Sequence, residues 1–250
     1  RRQVGFCAQW SLDNVFIVPG REASYVRLGP EVGRLGAMLN QQDVSEYLKM
    51  SPAGLEARCD VSSFESVRCT CEASGEGLWY YEAEVITPGV MQIGWATKDS
   101  KFLNHEGYGI GDDEFSVAYD GCRQLIWHNA ASTGHAQPPW RPGDVLGSSQ
   151  DVASGRVEFA LNGRPLPTSL LPRPLPPLPA YFPAASFMSF QQCRFNFGSR
   201  PFRFPPPGLA PGQRVRSFQL EGRLDSDQRT ILPRPRKLEA LRADSVPADS

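Results

Sequence analysis

Residues Gly77–Ala96 read GLWYYEAEVITPGVMQIGWA. Trp79, Tyr81, Ala83 and Val85 alternate with Tyr80, Glu82, Glu84 and Ile86. A period of two, with both glutamates on one side, predicts an antiparallel strand that buries its aromatic side and turns the glutamates to water. Thr87-Pro88-Gly89 then reverses the chain, and Met91, Ile93 and Trp95 return on a common face. Gly94 inside that second run predicts a bulge or a close backbone approach.

The pattern recurs downstream. Asp120-Gly121 in FSVAYDGCRQLIWH and Asn162-Gly163 in GRVEFALNGRPL mark two further hairpins, because both dipeptides tolerate positive φ. YFPAASFMSF and CRFNFG supply two more strands, and LEARC and SVRCTC precede the opening stretch. Helical periodicity is nearly absent, so an all-β antiparallel sandwich is predicted. One short helix is expected in QQDVSEYLKM, where Asp43 stands three residues before Glu46 in the manner of a capping box. Residues 1–38 read as an extension with two short strands around Pro19-Gly20, and 39–205 as the sandwich. From Pro205 the compact region is expected to end, leaving 206–250 as a proline-rich and basic tail or linker with a short helix near Arg236–Arg242.

Composition narrows the function. With 40% hydrophobic and 21% charged residues, the 250-residue chain has the make-up of a folded domain with a sizeable core. Its 26 basic and 27 acidic residues leave a net charge of −1, which argues against a nucleic-acid partner. No apolar run approaches the roughly 20 residues of a membrane-spanning helix. Cys7, Cys59, Cys69, Cys71, Cys122 and Cys193 lie largely in strand-like runs, and no Asn-x-Ser/Thr sequon occurs. Both features favour reduced structural thiols and a cytoplasmic location. The chain starts at Arg1 rather than Met, which fits a fragment.

Catalytic and metal-binding patterns are missing. There is no G-x-S-x-G, the nucleophile elbow that a triad built on His105, His128 or His135 would need. Cys69-x-Cys71 is spaced too closely for the usual zinc pair. No catalytic residue, metal or cofactor is predicted. Gly107–Asp113, GYGIGDD, lacks the helix that a phosphate-binding loop needs and reads as structural. Asn104-His105-Glu106 forms an exposed polar loop beside an aromatic, suited either to reading a peptide or simply to facing solvent. Pro165–Pro183 holds eight prolines and reads as a long exposed loop, partly polyproline II. Within it, RPLPPLP places Pro176 and Pro179 on one ridge with Arg173 a turn earlier, the arrangement an SH3 groove accepts.

WYYEAEV, MQIGWA, GYGIGDDEFSVAYDGCRQLIWH, WRPGDVLG, VEFALNG, YFPAASF and CRFNFG occur in the order found in the SPRY family, and the chain resembles that family from about residue 55 to 204. SSFESVRC, SKFLNHEGYGIGDDE, ILPRPRKL and QWSLDN are similar to those members that join a SPRY domain to a C-terminal RING finger. The resemblance implies a bent sandwich of two antiparallel sheets that binds proteins or peptides through loops at one end. It implies the substrate-recognition part of a ubiquitin-protein ligase whose RING is not in this chain, since no cysteine follows Cys193. The alternative is a scaffold element in a large assembly, a role the family plays in ryanodine receptors. The resemblance also makes Tyr108, in its Gly-Tyr pair, the leading ligand contact, with core packing as the other reading, and adds Ser189 and Phe190. Where the family has an apolar strand after its Gly-Asp block, GSSQDVASG is polar, so a weak or shortened strand is expected there.

Overall fold

The structure is a computed structural model and describes residues 1–24, 36–101, 107–167, 180–206, 215–218 and 223–224. Strands are numbered β1 to β17 in chain order. One sheet runs β1 (Leu39–Val44), β4 (Glu65–Cys69), β14 (Phe182–Phe187), β7 (Met91–Ala96), β8 (Ser116–Asp120), β9 (Leu125–His128), β10 (Ala131–Gly134). The facing sheet runs β13 (Arg164–Pro165), β12 (Arg156–Leu161), β11 (Val145–Asp151), β6 (Leu78–Val85), β15 (Gln192–Asn196), β3 (Glu56–Cys59), β2 (Leu48–Met50). Pairing along both paths is antiparallel, so the chain is the two-sheet sandwich its alternation predicts. Among the described residues, no helix is long and apolar enough to cross a membrane.

The opening stretch supplies the middle of both sheets. Trp79, Tyr81, Ala83 and Val85 of β6 face Met91, Ile93 and Trp95 of β7 in one buried cluster. Tyr81 and Trp95 meet edge to face at 5.2 Å. Their polar ends are satisfied: Tyr81 Oη donates to Gly94 O at 2.7 Å and Trp95 Nε1 to Ser148 Oγ at 2.8 Å, as buried aromatics with polar tips require. A Cβ on Gly94 would fall 2.0 Å from Val117 O, so the glycine marks the close strand approach its sequence position predicts.

Several expectations are corrected. QQDVSEYLKM is not helical; it belongs to β1 and β2. Asp43 cannot cap a helix because its carboxylate accepts from Arg68 Nε and Nη2 at 2.6 and 2.8 Å, a contact 25 residues away. The described helix is α1 (Arg2–Asn14), and no strand forms at Val15–Val18; the second strand expected before residue 38 falls mostly on 25–35, outside the described residues. Glu82 does not face water. It is buried, and its carboxylate accepts the backbone N–H groups of Arg203 and Phe204 at 2.9 and 2.7 Å. Glu84 stays partly exposed and pairs with Arg2 of α1 at 2.9 Å.

The polar run after Gly143-Asp144 is a full seven-residue strand, β11, buried as far as Gln150 and paired on both edges. Gly147 leaves room for the Tyr80 ring of β6, since a Cβ there would lie 2.3 Å from Tyr80 Oη. Asn162 and Gly163 take φ of 51° and 76°, the hairpin geometry predicted. The β8–β9 turn instead spans four residues, with Gln124 at φ 61°, and Gly121 is needed because Trp140 packs 2.1 Å from where its Cβ would lie. Pro165 and Pro183, at the ends of the proline stretch, lie in strands. Pro183 fits a central strand because pairing with β4 begins only at Ala184. Residues 168–179 and Arg236–Arg242 lie outside the described residues. The compact body also continues past Pro205: β16 (Val215–Ser217) pairs parallel to β6, Phe218 is fully buried, and β17 (Arg223–Leu224) pairs with β5 (Cys71–Glu72).

Candidate functional site

The segment between β7 and β8 is strapped onto the outer face of the first sheet. Ile110 is buried among Ala96, Ala118 and Ala184, whose small side chains make room for it. Arg68 holds the segment's start: Nη1 donates to Thr97 O and Ser100 O at 2.9 and 2.8 Å while the rest of the guanidinium engages Asp43. Asp113 holds its end, accepting from Ser100 Oγ, Ser116 Oγ and Phe115 N at 2.7, 2.7 and 2.9 Å. Gly109 lies so close to the sheet that a Cβ would meet Gln92 Oε1 at 1.8 Å. Burial pushes the Asp112 carboxyl up, opposed by the Gly109 N–H it accepts at 2.7 Å.

A hydrogen-bonded seam ties this segment to two others. Ile110 N donates to Ser186 Oγ at 2.9 Å, Ser186 Oγ meets Ser66 Oγ at 2.7 Å, and Ser66 N donates to Ser45 Oγ at 2.7 Å. Three exposed rings stand a few residues from its members: Tyr108 before Ile110, Phe190 beyond Ser186 and Tyr47 beyond Ser45, at 44%, 62% and 45% exposure. At about 3.3 Å per residue each ring is rooted within roughly 7–13 Å of the seam.

Tyr108 is therefore a surface residue rather than part of the core. Phe190 takes φ 65°, a left-handed conformation unusual for a bulky side chain. Its N–H donates to Cys59 O at 2.7 Å, and Cys59 N donates to Gln191 O at 3.0 Å, which pins the turn to β3. Ser189 Oγ donates to Val61 O at 2.8 Å, which ties the turn to the loop after β3. Tyr47 was invisible to sequence reasoning because its stretch reads as helix. Its N–H donates to the buried Glu65 Oε2 at 2.9 Å. Asn104, His105, Arg173, Pro176 and Pro179 lie outside the described residues.

All six cysteines are free thiols, and burial pushes Cys59 and Cys71 up to about 11, which keeps them protonated and poorly nucleophilic at neutral pH. His128 Nδ1 is engaged with Ser116 O at 2.8 Å, and His135 stacks on Tyr119 at 5.4 Å. Among the described residues, no group of three His, Cys, Asp or Glu is placed to hold a metal.

Residues 78–200 match the family model of the SPRY domain. Over 163 residues, 65% of the chain, the sequence is 35% identical to the E3 ubiquitin-protein ligase RKP of Arabidopsis thaliana, and the chain spans only 12% of that protein's length. The fold is similar to the crystal structure of the SPRY domain of human HERC1, with a TM-score of 0.53 and 11% identity, covering 65% of this chain and 99% of that one. The family match spans β6 to β15, the strands that build the centre of both sheets, and the chain carries a SPRY domain, a protein-interaction module.

Proposed function

We propose that this SPRY domain is the substrate-recognition part of a RING-type ubiquitin ligase and grips a polypeptide on the rim formed by Tyr47, Tyr108 and Phe190. The observation that carries the reading is the seam: three exposed rings stand on backbone that is already fixed. Aromatic anchors on preformed segments lower the ordering cost of association. The similarity to a protein named as an E3 ubiquitin-protein ligase supports the ligase context. In this reading a RING elsewhere performs the transfer, and Asn104 and His105, between the strapped ends of the Tyr108 segment, add polar contacts. Free, largely buried cysteines suit a reducing cytoplasm. The test is affinity capture from cells with the wild-type chain, Tyr108→Ala and Phe190→Gly. The reading expects the same partner to be lost from both variants and its ubiquitination to fall with them; a partner set unchanged by either variant contradicts it.

A second reading, a scaffold element within a large assembly, draws on α1. Its inner side is held by Arg2–Glu84, Gln3–Arg58 and Lys49 over Trp10, while Val4, Leu12 and Val15 to Val18 stay exposed. An exposed apolar strip of this kind suits packing against another body.

A further inference from the structure

The strand β6 is flanked on one edge by β15 only over Glu82–Val85, and along Leu78–Tyr80 that edge is taken by β16. Val215, Arg216 and Ser217 run parallel to Leu78, Trp79 and Tyr80. The next residue, Phe218, inserts its ring between the sheets, 4.8 Å from Trp79, 5.9 Å from Trp95 and 6.4 Å from Phe197, and is fully buried. Arg216 lies over the Trp79 ring at 5.0 Å, and its Nη1 donates to Ser74 O and Glu76 O at 3.2 and 2.7 Å. Ser217 Oγ donates to Phe197 O at 3.3 Å.

The receiving surface is shaped for these four residues. Gly77, at φ 113°, leaves space that a Cβ would take from Arg216, at 2.9 Å from its Cδ. The bend at 74–77, between β5 and β6, presents two carbonyls to one guanidinium. This is the anatomy of peptide recognition by strand addition: main-chain pairing to an open edge, one aromatic anchor in a pocket and one charged side chain read by carbonyls and an aromatic face. Residues 207–214, between this segment and the rest of the chain, lie outside the described residues. The indole N–H of Trp79, buried in the floor, has no acceptor among the described residues.

We propose that the groove along Leu78–Tyr80 is a second peptide-binding site, held in cis by Val215–Phe218, and that it takes from a partner an extended segment with arginine two residues before an aromatic. The groove lies at the Leu78 end of β6. The Phe190 turn lies at the Val85 end, where Gln192 N donates to Thr87 Oγ1 at 2.7 Å, so this site and the rim stand or fall separately.

The test inserts a protease recognition sequence between Gly212 and Gln213 of the full chain and uses a labelled peptide, PGQRVRSFQLEG, corresponding to residues 211–222. The uncut chain is expected to bind the peptide at least about 100-fold more weakly than the cut chain, because the tethered segment competes at roughly millimolar effective concentration. On the cut chain, replacing the phenylalanine of the peptide by alanine weakens binding by about 30-fold or more, the scale of a buried aromatic anchor. Replacing its first-anchor arginine, the one aligned with Arg216, weakens binding by about 2–5-fold, as for a cation on an aromatic face. Loss of the folded state on cutting would overturn the proposal, since the segment would then be an integral strand rather than a ligand. Equal binding of the alanine peptide, or retention of the native fragment with no exchange, would overturn it too.

Discussion

The turn at Phe190 gives the sharpest prediction, because its strain and its ring can be removed separately. At φ 65° an L-residue with a Cβ pays roughly 1–2 kcal/mol relative to glycine. Phe190→Ala removes the ring and keeps that cost; Phe190→Gly removes both. The ring is 62% exposed, so with about 200 Å² for a phenylalanine its lost burial is near 75 Å², or about 2 kcal/mol. That loss is common to the two variants and cancels in their comparison. The greater freedom of glycine in the unfolded chain offsets about 0.5–1 kcal/mol of the relief. Phe190→Gly is therefore expected to be about 0.5–1 kcal/mol more stable than Phe190→Ala, which is ~1–4 °C in Tm at this size. Urea denaturation of both, fitted with a shared slope, measures the difference, and titration with the captured partner measures the ring. Equal stabilities, or alanine above glycine, would refute the claim that the turn holds this residue left-handed. Retained partner binding by Phe190→Gly would refute the claim that the ring is the anchor.

Arg68→Met leaves Asp43 unpaired and two carbonyls of the strap unmet, and is expected to cost about 3 kcal/mol by urea denaturation while weakening rim binding; a cost below ~1 kcal/mol would contradict the role of the strap. Burial is the largest influence on Glu56 and raises its carboxyl above the ordinary 4.5, against the opposing hydrogen bond from Gln192. The folded state thus binds its proton more tightly than the unfolded chain, and this group's contribution to stability falls as pH rises from 4.5 through the raised value. The stability difference between wild type and Glu56→Gln, followed from acid to neutral pH, is expected to move in favour of the variant across that window; a flat or opposite difference excludes the burial effect. A peptide spanning 170–182 is expected to bind an SH3 domain with roughly micromolar affinity and to lose it with Arg173→Ala or Pro176→Ala. A panel of SH3 domains with no binder would rule this out.

Where neighbours in sequence decide the structure, the fold is legible. The alternation in β6 and β7, the Asn162-Gly163 turn and the place of Gly94 each follow from a few adjacent residues. Where the deciding partner is remote, the sequence misleads. Asp43 looks like a helix cap until Arg68 takes its carboxylate, and Glu82 looks solvated until the backbone of residues 203 and 204 folds over it. β11 looks too polar for a central strand because the rings that cover it, Tyr80 over Gly147 and Trp95 on Ser148, come from remote segments. Of the rim, Tyr108 and Phe190 are found by their place in family motifs, and neither their exposure nor the left-handed turn is written in the local sequence. Tyr47 joins them only because the turn between β1 and β2 replaces the expected helix. Phe218 was hidden for a similar reason: a lone aromatic in a proline-bounded tail carries no periodic signal, and its pocket is built by Trp79, Trp95 and Phe197, all more than 20 residues away.

The central claim is that a rigid sandwich presents Tyr47, Tyr108 and Phe190 together to one polypeptide. Its most direct measurement is backbone amide NMR of the full chain titrated with a peptide selected from a displayed random library against the wild type and discarded if Phe190→Gly also binds it. The account predicts saturable shifts confined to residues 45–47, 104–112 and 188–191, with the strands unmoved. Shifts spread over the outer face of the other sheet, or broad changes through both sheets, would contradict it.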